Sequence, residues 1–185
     1  MCIRDSYIYA RETLGIGQTY NSQVHHSATG SGTFEHLTAG PTTLLDPTGE
    51  GTVGSAVKDS AIVAAARAAG IPVETVPQLV AIAGDSNSKA QTEAKTILRE
   101  RAVVLGEAVS SLVGLFNPTR VVLGGQAFTD YPDTLNLIAS LIHQNSTDVD
   151  IRVTAARGRV QQQAAAAVAI TAVAYDPLHA VEGAR

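Results

Sequence analysis

Leu105-Gly-Glu-Ala-Val-Ser-Ser-Leu-Val-Gly-Leu-Phe-Asn-Pro-Thr-Arg-Val-Val-Leu-Gly-Gly125 decides the fold class. Leu105, Val109, Leu112, Val113 and Phe116 recur at helical spacing. Asn117-Pro118 cannot continue that helix, because proline lacks the N–H and its ring clashes with the preceding turn. Arg120-Val-Val-Leu123 is a β-branched run that suits a buried strand. Gly124-Gly125 then lets the backbone turn tightly at the carboxyl end of that strand and approach a neighbour without a Cβ between them. Ligands of open α/β sheets gather at the carboxyl ends of strands, so a nucleotide or sugar-phosphate fold is the first expectation.

Working outward, Asp59 or Ser60 is expected to cap a helix to about Ala69, with Gly70 and Pro72 closing it. Pro77–Ala83 reads as a short helix, and the longest helix runs from about Ser88 to Phe116. Lys89, Glu93, Lys95, Arg99, Glu100 and Arg101 are read as its solvated face. Leu135–Gln144 reads as a helix, Asp150–Ala155 as a strand, and Gln161–Ala174 as an alanine-rich final helix. Upstream, Tyr7–Ala28 reads as two strands around Gly15-Ile-Gly17 with a turn at Asn21-Ser22. Thr29–Ser55 is a long loop rich in Gly, Thr, Pro and Asp, and loops of that length in compact domains are often functional. The alternation of helices and strands predicts an α/β fold, a mixed or parallel sheet covered by helices.

Composition excludes several classes. The 185 residues have room for one sizeable domain, with 45% hydrophobic and 16% charged residues. Thirteen basic against seventeen acidic residues give a net charge of −4. No basic stripe is present, so this segment does not read as gripping nucleic acid itself. The single Cys2 excludes a disulfide framework and a cysteine zinc cluster. The apolar run Ala164–Ala174 is too short to span a bilayer. Met1–Ser6 lacks the apolar region of a signal peptide, so the default compartment is the cytoplasm and no membrane partner is expected. This opening hexapeptide resembles translated adaptor sequence, and residues 1–6 are expected to be a non-native leader on a truncated chain.

Four segments resemble the ROK family (repressors, open reading frames and sugar kinases), whose lobes have the actin/hexokinase-like, ribonuclease H-like ATPase fold. Leu14-Gly-Ile-Gly17 with the Asn21–Val24 turn resembles the family's phosphate-side hairpin, usually Gly-Thr-Gly-Ile-Gly. Ser31-Gly-Thr-Phe-Glu-His36 resembles Ala-Gly-Glu-Ile-Gly-His. Gly51-Thr-Val-Gly-Ser55 falls where the family has Gly-Cys-Leu-Glu. Asn117-Pro118 with Val121–Gly125 matches the adenosine-side strand. The resemblance covers residues 7–175 as the carboxyl-terminal lobe, with 161–175 expected to pack on a missing amino-terminal lobe and 176–185 a tail.

What the resemblance implies differs from a working kinase. The two sugar-binding glutamates are replaced by Thr33 and Gly54, and a carboxylate binds a diol far better than a threonine hydroxyl does. His36 of the zinc site remains, but Thr52 stands where a cysteine would fall, so no metal and no cofactor is expected. The Asn-Asp general base and the amino-terminal phosphate loop would lie upstream. Candidate sugar-binding residues are Thr33, Glu35 and His36, with Glu35 either a replacement carboxylate or a solvated side chain. Candidate nucleotide- or phosphate-side residues are Gly15, Gly17, Gly124 and Gly125. His25-His26 is read as a surface pair, since neighbouring strand residues point to opposite faces.

The function expected is the effector-sensing portion of a ROK-type transcriptional regulator that binds a sugar or sugar phosphate. It would reach DNA only through an upstream domain, and it would be a homodimer in its parent. The enzyme alternative is a fragment of an ATP-dependent sugar kinase with an atypical pocket, the one case in which ATP would be a cofactor. A non-catalytic oligomerisation scaffold is the third reading.

Overall fold

The computed structural model describes residues 4–21, 23–25 and 32–154. The expected final helix and tail lie outside the described residues. Arg4–Ala10 (β1) and Leu14–Tyr20 (β2) form an antiparallel hairpin, and Gln23–His25 (β3) and Gly32–Thr33 (β4) add short antiparallel pairings to β2. The chain then makes three helices, Val53–Val57 (α1), Asp59–Ala68 (α2) and Val76–Gly84 (α3), before the 26-residue Gln91–Phe116 (α4). Arg120–Gly124 (β5), Gln126–Thr129 (α5), Leu135–Asn145 (α6) and Asp150–Val153 (β6) follow. Strand order is β3-β2-β1-β5-β6, with β5 parallel to both β1 and β6.

The quoted stretch behaves as its residues require. Asn117 adopts a left-handed backbone (φ 46°) and its N–H donates to the Val113 carbonyl, which closes α4 immediately before Pro118. Ile8 and Ala10 of β1, Leu14 of β2 and Val121 and Leu123 of β5 point into the same core as Ile97, Leu105 and Val109 of α4. Gly106 lets α6 lie close against α4, since a Cβ there would sit 2.7 Å from Leu141 Cδ1.

The opposite sheet face carries the alternate residues. Tyr7 pairs with Gly17 and Val122, and Tyr9 pairs with Gly15 and Gly124. Gly15 and Gly17 therefore lie inside β2, where the sequence reading had them between two strands. The first strand ends earlier, and Arg11, Glu12 and Thr13 make the turn. Asp5 and Ser6, inside the expected leader, belong to β1 and pair with Arg120 and Val121.

Other readings change too. The 29–55 loop contains β4, a bridge between Thr38 and Thr52, and the start of α1. Neither Asp59 nor Ser60 caps α2, because Lys58 holds the N-cap position and makes no side-chain cap bond. Arg101 is 3% exposed, so it is not part of a solvated face. Its spacing explains this, for it stands four residues from both Ile97 and Leu105 on the apolar stripe.

The glycine pair has a packing role. A Cβ on Gly124 would run into the Tyr7 hydroxyl, and one on Gly125 into the Ala10 carbonyl oxygen. Gly125 also has a φ of 97°, which side chains rarely adopt. The Gly125→Ala protein is therefore expected to lose about 2 kcal/mol or more, from strain together with overpacking. Urea unfolding monitored by circular dichroism measures this.

Candidate functional site

Three of the sequence candidates come together around Gly54. Phe34 is 2% exposed and plugs the core, which holds its neighbours Thr33 and Glu35 at the surface. The Thr33 hydroxyl donates to the Leu14 carbonyl at 2.7 Å and accepts the Glu35 N–H at 3.3 Å, so it shapes the turn that presents Glu35. The Glu35 carboxylate meets Lys58 Nζ at 2.7 Å through Oε2 and His36 Nε2 at 3.4 Å through Oε1. The Lys58 hydrogen bond and charge hold the Glu35 carboxyl below its ordinary pKa, with His36 adding to the effect and desolvation opposing it. The Gly54 N–H donates to the Glu35 carbonyl at 2.9 Å. A Cβ on Gly54 would lie 3.1 Å from Glu35 Cβ, so glycine at 54 leaves room for the glutamate at 35.

An ammonium, a carboxylate and an imidazole thus share one surface patch. Together they offer donors and an acceptor to a polyhydroxylated ligand. Two of the other candidates, Gly15 and Gly124, lie in a row that ends at Thr33. Gly124, Tyr9, Gly15 and Thr33 occupy one row across β5, β1, β2 and β4. That row spans three strand separations, roughly 14 Å. Gly17 lies one pleat away beside Tyr7. Burial, with Tyr9 nearby, holds the Tyr7 phenol above its ordinary pKa.

Sequence reasoning missed the residues that anchor this region. Arg101 Nε donates to the Val57 carbonyl at 2.9 Å, and its Nη2 to Asp59 Oδ1 at 2.6 Å. The other Asp59 oxygen accepts Arg11 Nε at 3.3 Å from the tip of the β1–β2 hairpin. Burial pulls the Arg101 guanidinium below its ordinary pKa while Asp59 opposes that shift, and it remains charged at neutral pH. Asp130, near the same arginine, is pushed up by burial and by Asp59, with Arg101 and Arg11 pulling the other way. Glu12, also at the hairpin tip, accepts the Ser60 N–H at 3.0 Å and the Ser60 hydroxyl at 2.7 Å. A carboxylate on the first turn of a helix satisfies free amides and complements the helix dipole. The signal for Arg101 was a charged residue on an apolar stripe; a conformation-dependent contact such as Glu12 with Ser60 left none.

The loop between the bridged Thr38 and Thr52 forms one wall of a groove of about 580 Å³, opposite Ala65 and Ala68 of α2 and Ala69 just past its end. None of the candidate site residues lines this groove. Two carboxylates hold the loop. Glu100 accepts the N–H groups of Thr43, Leu44 and Leu45, and Asp46 accepts the Thr48 hydroxyl and the N–H groups of Glu50 and Gly51. Glu100 was read from sequence as merely solvated. Among the described residues, no group of three His, Cys, Asp or Glu is placed to hold a metal ion. No helix among them is long and apolar enough to cross a membrane.

Asp59→Asn leaves the buried Arg101 cation without its counter-charge, at an expected loss of about 3 kcal/mol in chemical unfolding. For Asp46, burial raises the carboxyl pKa but the Gly51 N–H, with Thr48, Ser55 and the Glu50 N–H, more than offsets it, so the folded value is lowered. Its contribution is present above the ordinary carboxylate range and is lost as pH falls through the lowered folded pKa. Asp46→Asn should therefore flatten the acid limb of the stability–pH curve, measured by denaturant midpoints between neutral and acid pH.

No family model matches the chain. It is 38% identical over 189 aligned residues to proteins named transcriptional regulators from Mycobacterium bovis and Mycobacterium tuberculosis. The alignment covers 95% of this chain but only 42% of those proteins, so the chain spans less than half the length of the curated relatives it matches. Among solved structures it superposes on a ROK family transcriptional regulator, described as a homologue of the Escherichia coli MLC protein, with a TM-score of 0.64. That match has 21% identity and covers 81% of this chain and 41% of the other. The ROK hexokinase of Thermus thermophilus gives a TM-score of 0.68 at 20% identity, over 85% of this chain and 54% of the other. A Streptomyces griseus ROK glucokinase solved with glucose and AMPPNP gives 0.58 at 19% identity, over 84% of this chain and 57% of the other. The chain therefore has the α/β, actin/hexokinase-like fold that ROK regulators and sugar kinases share, and its likeness in sequence is to transcriptional regulators.

Proposed function

We propose that this chain is the effector-sensing lobe of a ROK-type transcriptional regulator and that its ligand is a sugar or sugar phosphate. The supporting observation is the patch of Glu35, Lys58 and His36 set over Gly54. It offers hydrogen-bond donors and an acceptor to a polyhydroxylated ligand at one surface. A sensor needs only a difference in affinity between two states for its ligand, and these groups are sufficient for that.

The hairpin tip supports the non-catalytic side of this reading. In the resemblance Leu14–Gly17, which forms the start of β2, lies on the phosphate side, and here the β1–β2 turn leading into it carries Glu12 bonded to Ser60. A carboxylate at that position repels a polyphosphate instead of attracting it. Likeness in sequence to proteins named transcriptional regulators points the same way. DNA contact is assigned to regions outside this chain, in keeping with its net charge of −4.

The test uses the full-length gene product. Its affinity for DNA from its own promoter region is measured by fluorescence anisotropy, at fixed salt, against a panel of hexoses, amino sugars and their phosphates. The expected result is that at least one of them shifts DNA affinity by about fivefold or more, the lower end of typical coupling between sites. Sugar phosphorylation in a coupled assay, with DNA affinity unmoved by every ligand, would replace this reading with the kinase one.

A further inference from the structure

Three consecutive residues at the α1–α2 break between them hold the candidate site, the middle of α4 and the hairpin tip. Lys58 Nζ pairs with Glu35 at 2.7 Å in the candidate site. Asp59 is shared between the buried Arg101 of α4 and Arg11 of the hairpin tip, through different oxygens. Ser60 donates its amide and hydroxyl to Glu12, also on the hairpin tip. The break is sharp: Lys58 has φ −59° and ψ 150°, its N–H ends α1 on the Gly54 carbonyl, and its carbonyl accepts the Ile62 N–H of α2. No slack separates these anchors, since one residue advances the chain by at most about 3.6 Å.

We propose that Lys58-Asp59-Ser60 is a relay that couples occupancy of the Glu35–Lys58–His36 patch to the β1–β2 hairpin tip. A ligand that draws Glu35 or Lys58 away from its partner changes the pull on the break. Arg101 fixes the break through the Val57 carbonyl and Asp59, so the change leaves through the remaining contacts, Arg11 and Glu12. The charged groups around the relay are Arg11, Glu12, Glu35, Asp59, Arg101 and Asp130, which belong to the hairpin, the β4 turn, α2, α4 and the end of α5. The relay gives the sensing reading a route out of the site. Its test needs no ligand, so it can fail while that reading stands, and the reverse.

The test is residue-resolved amide hydrogen exchange on the 185-residue chain carrying Lys58→Met, which removes the ammonium from Glu35 and keeps the length of the side chain. The expected result is that the Ser60 amide and the amides of residues 11–14 exchange about fivefold faster or more, at the low end of coupling between sites. Amides of residues 104–109 in the middle of α4 should be unchanged. Because coupling is reciprocal, Glu12→Gln should speed exchange at residues 35–37 although Glu12 has no bond to them. Acceleration confined to residues 33–37 and 54–58 in the first variant would overturn the relay. So would an equal rise at residues 104–109, which reports global destabilisation, or a silent 35–37 segment in the second variant.

Discussion

Arg101 is the constraint on which the rest of this structure depends. Its guanidinium is almost wholly buried, and a buried charge is tolerated only where it is paired and hydrogen-bonded. The Val57 carbonyl and Asp59 meet that demand together, so the end of α1 and the start of α2 are fixed to the middle of α4. Since Asp59 also holds Arg11, the same cation sets where the β1–β2 hairpin ends. Lys58 and Ser60, on either side of Asp59, inherit positions set by that pair. The candidate site and the hairpin tip are thus both referred to one buried cation.

A second constraint acts through missing side chains. Gly54 leaves room for Glu35, Gly124 for Tyr7, and Gly125 for the end of β1. The glycine pair after β5 permits close packing, Gly124 against the Tyr7 side chain and Gly125 against the end of β1. The polar patch is assembled at the β4 turn and the α1–α2 break, where the sheet gives way to loops.

Much of the fold was legible in the sequence, because its signals are local and strong. The β-branched run after Asn117-Pro118, the long apolar stripe of α4 and the Gly70 and Pro72 stop each act over a few residues, and the structure follows them. What the sequence hid are contacts between distant residues. Glu35 with Lys58 and Glu12 with Ser60 bring together side chains far apart in the chain, and nothing in their immediate neighbours announces the pairing. Gly15 and Gly17 were misplaced because glycine ordinarily marks a turn, whereas here the turn is made by Arg11, Glu12 and Thr13. A turn shaped by the Thr33 hydroxyl brings Glu35 to Lys58, a contact that no local pattern announces. Glu100 and Arg101 looked like surface charges because the helix around them is polar. Only their register against the apolar stripe separates the buried residue from the exposed ones.

The account turns on a lobe that reads a ligand and does not use a nucleotide. Isothermal titration of the full-length gene product with the magnesium complex of a non-hydrolysable ATP analogue tests that most directly. The account predicts no saturable heat, because the hairpin tip presents the Glu12 carboxylate already bonded to Ser60. A saturable one-site isotherm that persists when sugar is present would contradict it.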